Sequence, residues 1–164
     1  MNQAEIFSYI LQRNQDLIAK ATDGLSQTES VLQLPGESNC MNWVLGHIAL
    51  YRDEMLASIR QKEQMSAAEV KLYSVNSKPI TIASKSSSLE RLLKLLVQEF
   101  EALSKWLESN PEGLQQKTPH DIARRRGATV VEQFTILCWH ETHHVGELNA
   151  LRELALVSLG KGWK

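Results

Sequence analysis

The chain has 164 residues, 43 % hydrophobic and 23 % charged, with a formal net charge of −1. That length suits one domain, residues 1–164, with its own core, and the near-neutral balance gives no bulk field to attract nucleic acid or an anionic membrane. Two cysteines, Cys40 and Cys138, make no disulfide framework, no apolar run reaches the roughly 18 residues of a membrane span, and the first residues lack a signal peptide's basic and apolar regions, so the expectation is a cytoplasmic protein with two reduced thiols.

Apolar residues recur at helical spacing, and no alternating run reads as a strand. The first helix is expected over residues 3–21, where Ile6, Tyr9, Ile10, Arg13, Leu17 and Ile18 follow that spacing before Asp23-Gly24 ends it. A short helical turn over 26–32 and a Pro35-Gly36 turn follow. A second long helix is expected over 40–61, capped by Ser38 or Asn39. Its inward stripe reads Val44, His47, Ile48, Tyr51, Met55, Ile59. Residues 62–86 form a long connection with a short helix at 66–72. Such a connection can cross the length of a bundle, so helices two and three can run parallel.

The third helix is expected over 88–108, capped by Ser87 or Ser88, with Leu89, Leu92, Leu93, Leu96, Phe100, Leu103 and Trp106 facing in. Residues 110–127 are irregular, with Pro111, Pro119 and Gly127, and read as the rim or lid of a site. They hold the one strong basic run, Arg124-Arg125-Arg126, read as a solvated loop or helix end. The fourth helix is expected over 130–155, opened by a capping box of Thr129 and Glu132. Four long amphipathic helices without a sheet predict an all-α, four-helix bundle.

The fourth helix carries H-E-x-x-H, as His140-Glu141-Thr142-His143-His144. His140 and His144 stand about 40° apart on one face, one turn up, so both imidazoles can reach one metal ion. Leu137, Leu148, Leu151 and Ala155 share that face, which points the pair inward. His47 likewise sits in the apolar stripe of helix two, where an unpartnered imidazole costs a few kcal/mol. Two readings stay open on spacing alone: a metal site, or buried histidines satisfied by hydrogen bonds. His143 lies about 60° from His144 and need not share the site. Cys138 faces about 200° away from His140, Cys40 lies roughly 10 Å along the axis from His47, and His120 reads as a solvated loop residue.

H-E-x-x-H also marks zinc proteases, with the glutamate as base. That reading is weak, because neither of the third-ligand patterns of such proteases is present. The extended pattern would need histidine at Ala150, the glycine is displaced to Gly146, and Glu147 and Glu153 lie on the same helix as the pair. No strand is present to hold a peptide substrate.

The stretches Asn42-Trp43-Val44-Leu45-Gly46-His47-Ile48 and His140-Glu141-Thr142-His143-His144-Val145-Gly146-Glu147-Leu148 together resemble the DinB-like family (DinB/YfiT-like metalloenzymes). Arg152 also fits. The family pattern is N-W-x-x-x-H opening helix two and H-x-x-x-H-x-G-Q on helix four. The resemblance implies an up-down-down-up bundle, and one divalent metal bound by His47, His140 and His144 and open to water or substrate. It also implies a tendency to form homodimers and, in some relatives, transferase or isomerase activity with low-molecular-weight thiols such as bacillithiol or mycothiol. Glu147 departs from the family's glutamine, and three roles are open to it: orienting a ligand histidine, altering a bound water, or facing solvent. Zinc and nickel both suit imidazole ligands. Tyr51 reads as a packed core tyrosine or as a donor to a bound water or substrate. Glu141 reads as meeting solvent or a neighbouring helix, or as a base beside the metal. The competing expectations are a metal-dependent transferase, a non-catalytic bundle stabilised by metal, and a helical interaction module.

Overall fold

A computed structural model describes residues 1–34, 38–119 and 128–160. Among the described residues six α-helices follow one another: α1 (Gln3–Thr22), α2 (Gln27–Ser30), α3 (Met41–Ser58), α4 (Ala67–Tyr73), α5 (Leu89–Ser109) and α6 (Val130–Ser158). Two short 3-10 turns, Ala83–Lys85 and Pro111–Gln115, lie between them. Among the described residues there is no strand, only an isolated antiparallel bridge between Lys117 and Thr129. The regular structure of the described residues is all-helical, as the periodicity predicts.

The helix starts carry local signals. Asn2 and Glu5, Ser26 and Glu29, Ser66 and Glu69, and Thr129 and Glu132 form capping boxes at α1, α2, α4 and α6, each satisfying two N–H groups that lack intrahelical partners. Ser88 caps α5 by accepting from the Arg91 N–H. The expected cap of α3 is corrected: Cys40 occupies that position without a side-chain bond, and the helix ends at Ser58 rather than near residue 61. At the far end of α6, Arg152 donates to the carbonyls of Ala21 and Asp23, closing the C-terminus of α1.

The four long helices surround a core in two parts. One part gathers Phe7, Leu11, Met55, Leu56, Leu103 and Phe134, and the other Ile18, Val44, Ile48, Tyr73, Leu92 and Leu148. Between them each long helix contributes a buried polar residue: Asn14, Arg52, Glu99 and Glu141.

The first helix forms where its spacing predicts, one residue longer at its C-terminal end. Its core residues are Ala4, Phe7, Leu11, Asn14, Ile18 and Ala21, while Ile6, Tyr9 and Leu17 are exposed. Helix α1 has two apolar stripes, and the more conspicuous one lines an open groove against Val131, Thr135, Cys138 and Trp139 of α6. On α5 the inward set shifts by part of a turn. Leu95, Glu99 and Leu107 are buried with Leu89, Leu92, Leu96 and Leu103, and Leu93, Phe100 and Trp106 are half-buried. Pro35-Gly36, His120, Arg124-Arg125-Arg126, Gly127 and Trp163 lie outside the described residues.

Candidate metal centre

His47 comes from α3, and His140 and His144 from successive turns of α6. One ligand nitrogen from each of the three lies within 4.8 Å of the other two. The Nε2 atoms of His140 and His144 are 3.2 Å apart. Zinc–nitrogen bonds of about 2.0–2.1 Å at tetrahedral angles place two donors roughly 3.3 Å apart. The helical pair already has that separation, and His47 completes a triangle. Three imidazoles on two helices therefore form a group that can hold a divalent ion.

Local structure explains how a nearly buried His47, 2 % exposed, faces the site. Its Nδ1 lies 2.7 Å from the Tyr73 carbonyl. Tyr73 is the last residue of α4, where carbonyls lack helical partners. The carbonyl can only accept, so Nδ1 carries the proton and Nε2 keeps a lone pair for a ligand. Tyr73 reaches α3 because position 46 is glycine: a Cβ there would fall 2.3 Å from the Tyr73 ring. The Tyr73 hydroxyl donates to Asn42 Oδ1 and accepts from the Ser87 N–H. Asn42 donates to the Ser87 carbonyl. Trp43 stacks on the His47 ring and donates from its indole N–H to Ser77. The Asn42-Trp43…Gly46-His47 stretch thus fixes the long connection against α3, and that contact orients the histidine.

On α6 the Nδ1 of His144 lies 3.0 Å from a carboxylate oxygen of Glu147. The carboxylate fixes the proton on Nδ1 and again frees Nε2. Of the three roles open to Glu147, the structure places it against the histidine, with its side chain 44 % exposed. His143 is an exposed neighbour, 3.5 Å from the other Glu147 oxygen and stacked on Trp139; it stands outside the triad. His140 Nδ1 is buried with no hydrogen-bond partner among the described residues. Tyr51 packs its ring 4.1 Å from that of His140 and remains half-buried.

The electrostatics favour the neutral form of His47 and His140. Burial pushes His140 down to about 4, helped by His144, His47 and His143. Burial also lowers His47, against the opposing pull of the Tyr73 carbonyl. Neutral imidazoles are the form that binds metal. Tyr51 is raised by burial and by Glu54, so its phenol stays protonated as a donor.

The H-E-x-x-H glutamate does not join the site. Glu141 is fully buried and meets a neighbouring helix. Its carboxylate accepts from Arg52 Nε at 3.0 Å and Nη2 at 2.8 Å, with both side chains 0 % exposed. With both oxygens engaged by the Arg52 fork, this carboxylate is not presented to a water at the metal, which argues against the protease reading on geometry. Cys138 is buried and its thiol is pushed far up by desolvation. Cys40 is buried too, and its thiol is likewise raised by desolvation. Neither is a reactive thiolate. Sequence reasoning missed Tyr73, Gly46 and Arg52. A glycine inside an apolar helical stripe was a signal for the first two, since it costs about 1 kcal/mol relative to alanine and so needs a packing reason.

Residues 10–148 match the sequence profile of the DinB superfamily. The chain belongs to that superfamily. A conserved protein from Enterococcus faecalis, known from its crystal structure, shares the fold with a TM-score of 0.68 and 13 % identity. The match covers 96 % of this chain and 99 % of that one. No curated protein matches the sequence at a significant level. Within this DinB-superfamily chain no described helix is long and apolar enough to cross a membrane.

Proposed function

We propose that this DinB-superfamily protein is a metal-dependent transferase that binds one zinc or nickel ion through His47, His140 and His144. The substrate class we assign is a low-molecular-weight thiol together with an electrophilic small molecule. The observation that carries the reading is the convergence of three imidazoles, two of them with Nδ1 held by an acceptor. A divalent ion so held supplies Lewis acidity, which keeps a thiol ionised at neutral pH.

The chain's own residues do the rest. Tyr73 and Glu147 fix two ligand rings by their Nδ1 protons. Trp43 covers one side of His47. Tyr51 offers a protonated hydroxyl to an anionic leaving group. In the transfer the thiol would give up its proton to solvent water, its sulfur would form a bond to the electrophilic carbon, and the leaving group would depart with its electron pair as the bond to that carbon breaks.

The same reading assigns an up-down-down-up four-helix bundle. Phe7–Phe134 and Asn14–Thr142 contacts support α1 running alongside α6 in the same sense. Asn42–Ser87 and Arg52–Leu96 bonds support the same for α3 and α5.

The test is turnover by zinc- or nickel-loaded protein with a panel of thiols and an alkyl halide. Metal-dependent consumption of thiol, absent in His47→Ala, is the expected result. Stoichiometric metal with no turnover, and no change in the cobalt(II) spectrum on adding thiol, would leave a metal-stabilised helical protein instead.

A further inference from the structure

Between the two halves of the core, Arg52 reaches all four long helices. It sits on α3. Its Nε and Nη2 form the bidentate pair with Glu141 of α6. Its Nη1 donates to Gln15 Oε1 of α1 at 2.7 Å and to the Leu96 carbonyl of α5 at 2.7 Å. Burial opposes the guanidinium charge, and Glu141, with smaller contributions from Glu99 and Cys138, more than offsets that.

Stability alone is a weak reason for such a pair. Apolar residues of the same volume, packed in its place, commonly match or exceed a buried ion pair in stability. What a fork provides and apolar packing does not is a fixed register, because two parallel bonds set both separation and axial offset. The register set here is that of α3 against α6, the two helices that carry the triad. Glu141 adjoins His140 in sequence, and Arg52 is five residues, roughly 7.5 Å, beyond His47. Helices packed through apolar side chains alone can slide by a substantial fraction of an ångström. Metal–ligand distances tolerate only about 0.2 Å.

We propose that Arg52 and Glu141 are positioning residues for the metal centre: their buried fork sets the register that brings His47 to His140 and His144. The glutamate of the H-E-x-x-H motif serves here as a latch between helices. The proposal rests on the metal reading above, and its test separates the two.

The variants are Arg52→Met/Glu141→Leu, which replaces the pair by apolar groups, and Arg52→Lys, which keeps the charge without the fork. Thermal unfolding, cobalt(II) titration with its visible absorption band, and a metal-free crystal structure are read for each. The double variant is expected to stay folded, with an unchanged or higher melting temperature. Cobalt affinity is expected to fall roughly tenfold or more, with an altered band and a His47 ring displaced from His140 and His144. A merely structural pair would move stability and leave the triad in place. A folded variant with the wild-type band, affinity within about twofold and a superimposable triad would overturn the proposal. If the double variant does not fold, Arg52→Lys decides by the same criteria. If the wild type binds no cobalt, the metal reading fails, and the metal-free crystal structures still decide whether the pair sets the triad.

Discussion

A glycine and a carbonyl decide how His47 is used. The Tyr73 ring occupies the space that a Cβ at position 46 would need, and the Tyr73 carbonyl then holds the imidazole. Gly46→Ala is expected to destabilise the fold by about 1–3 kcal/mol through overpacking, measured by urea denaturation, and to weaken metal binding with it. Glu147 acts on the other side of the site. Glu147→Gln keeps an acceptor for His144 Nδ1 and should retain metal. Glu147→Ala should lower metal affinity by about 10–100-fold, read by competition with a chromogenic chelator. Equal affinities for the two variants would show that the 3.0 Å contact does not orient the ring. The three histidines were legible in the sequence as candidates, because i, i+4 spacing and inward stripes single them out, but spacing left two readings open and only the family resemblance joined them into one ligand set. Tyr73 was not, because no local spacing links the end of a short helix to a residue 26 positions earlier.

At the scale of elements, capping chemistry was readable and the choice of face was not. Thr129-x-x-Glu132 marked the start of α6, and the box is present. Thr129→Ala should cost about 1 kcal/mol in thermal unfolding. Helix α1 has two apolar stripes, so periodicity identifies the helix without saying which stripe is buried. Burial is settled by partners on α5 and α6, which lie far away in sequence. Leu11→Ala is therefore expected to cost about 2–5 kcal/mol. Tyr9→Lys, on the exposed stripe, should shift stability by no more than about 0.5 kcal/mol. A large loss from Tyr9→Lys in denaturant titrations would mean that this stripe is covered in solution.

For the whole molecule, the sequence disclosed a helical protein with a histidine site, because long 3.6-residue periodicity needs no tertiary information. The polar layer dividing the core was hidden, since nothing local marks Arg52 or Glu99 as buried and a neighbouring helix was only one of the readings open to Glu141. Glu99 is fully buried with neither carboxylate oxygen hydrogen-bonded among the described residues. Desolvation raises its carboxyl well above the ordinary 4.5, against the lowering pull of Arg52. The folded chain therefore holds this proton after the unfolded chain has released it. Stability should fall as pH rises from the ordinary carboxyl value towards the folded one. Glu99→Gln should flatten that slope and raise stability at neutral pH, as measured by denaturant titration across pH. An unchanged slope would place the titration elsewhere.

The central claim is a single ion held by three histidines from two helices. The most direct measurement is elemental mass spectrometry of protein made without a histidine tag, comparing wild type with His47→Ala, His140→Ala, His144→Ala and the exposed His143→Ala. One equivalent of zinc or nickel in the wild type and His143→Ala, lost from the other three, is the predicted result. A wild type that takes up no ion after reconstitution with either metal, or that keeps its ion in all four variants, would contradict it.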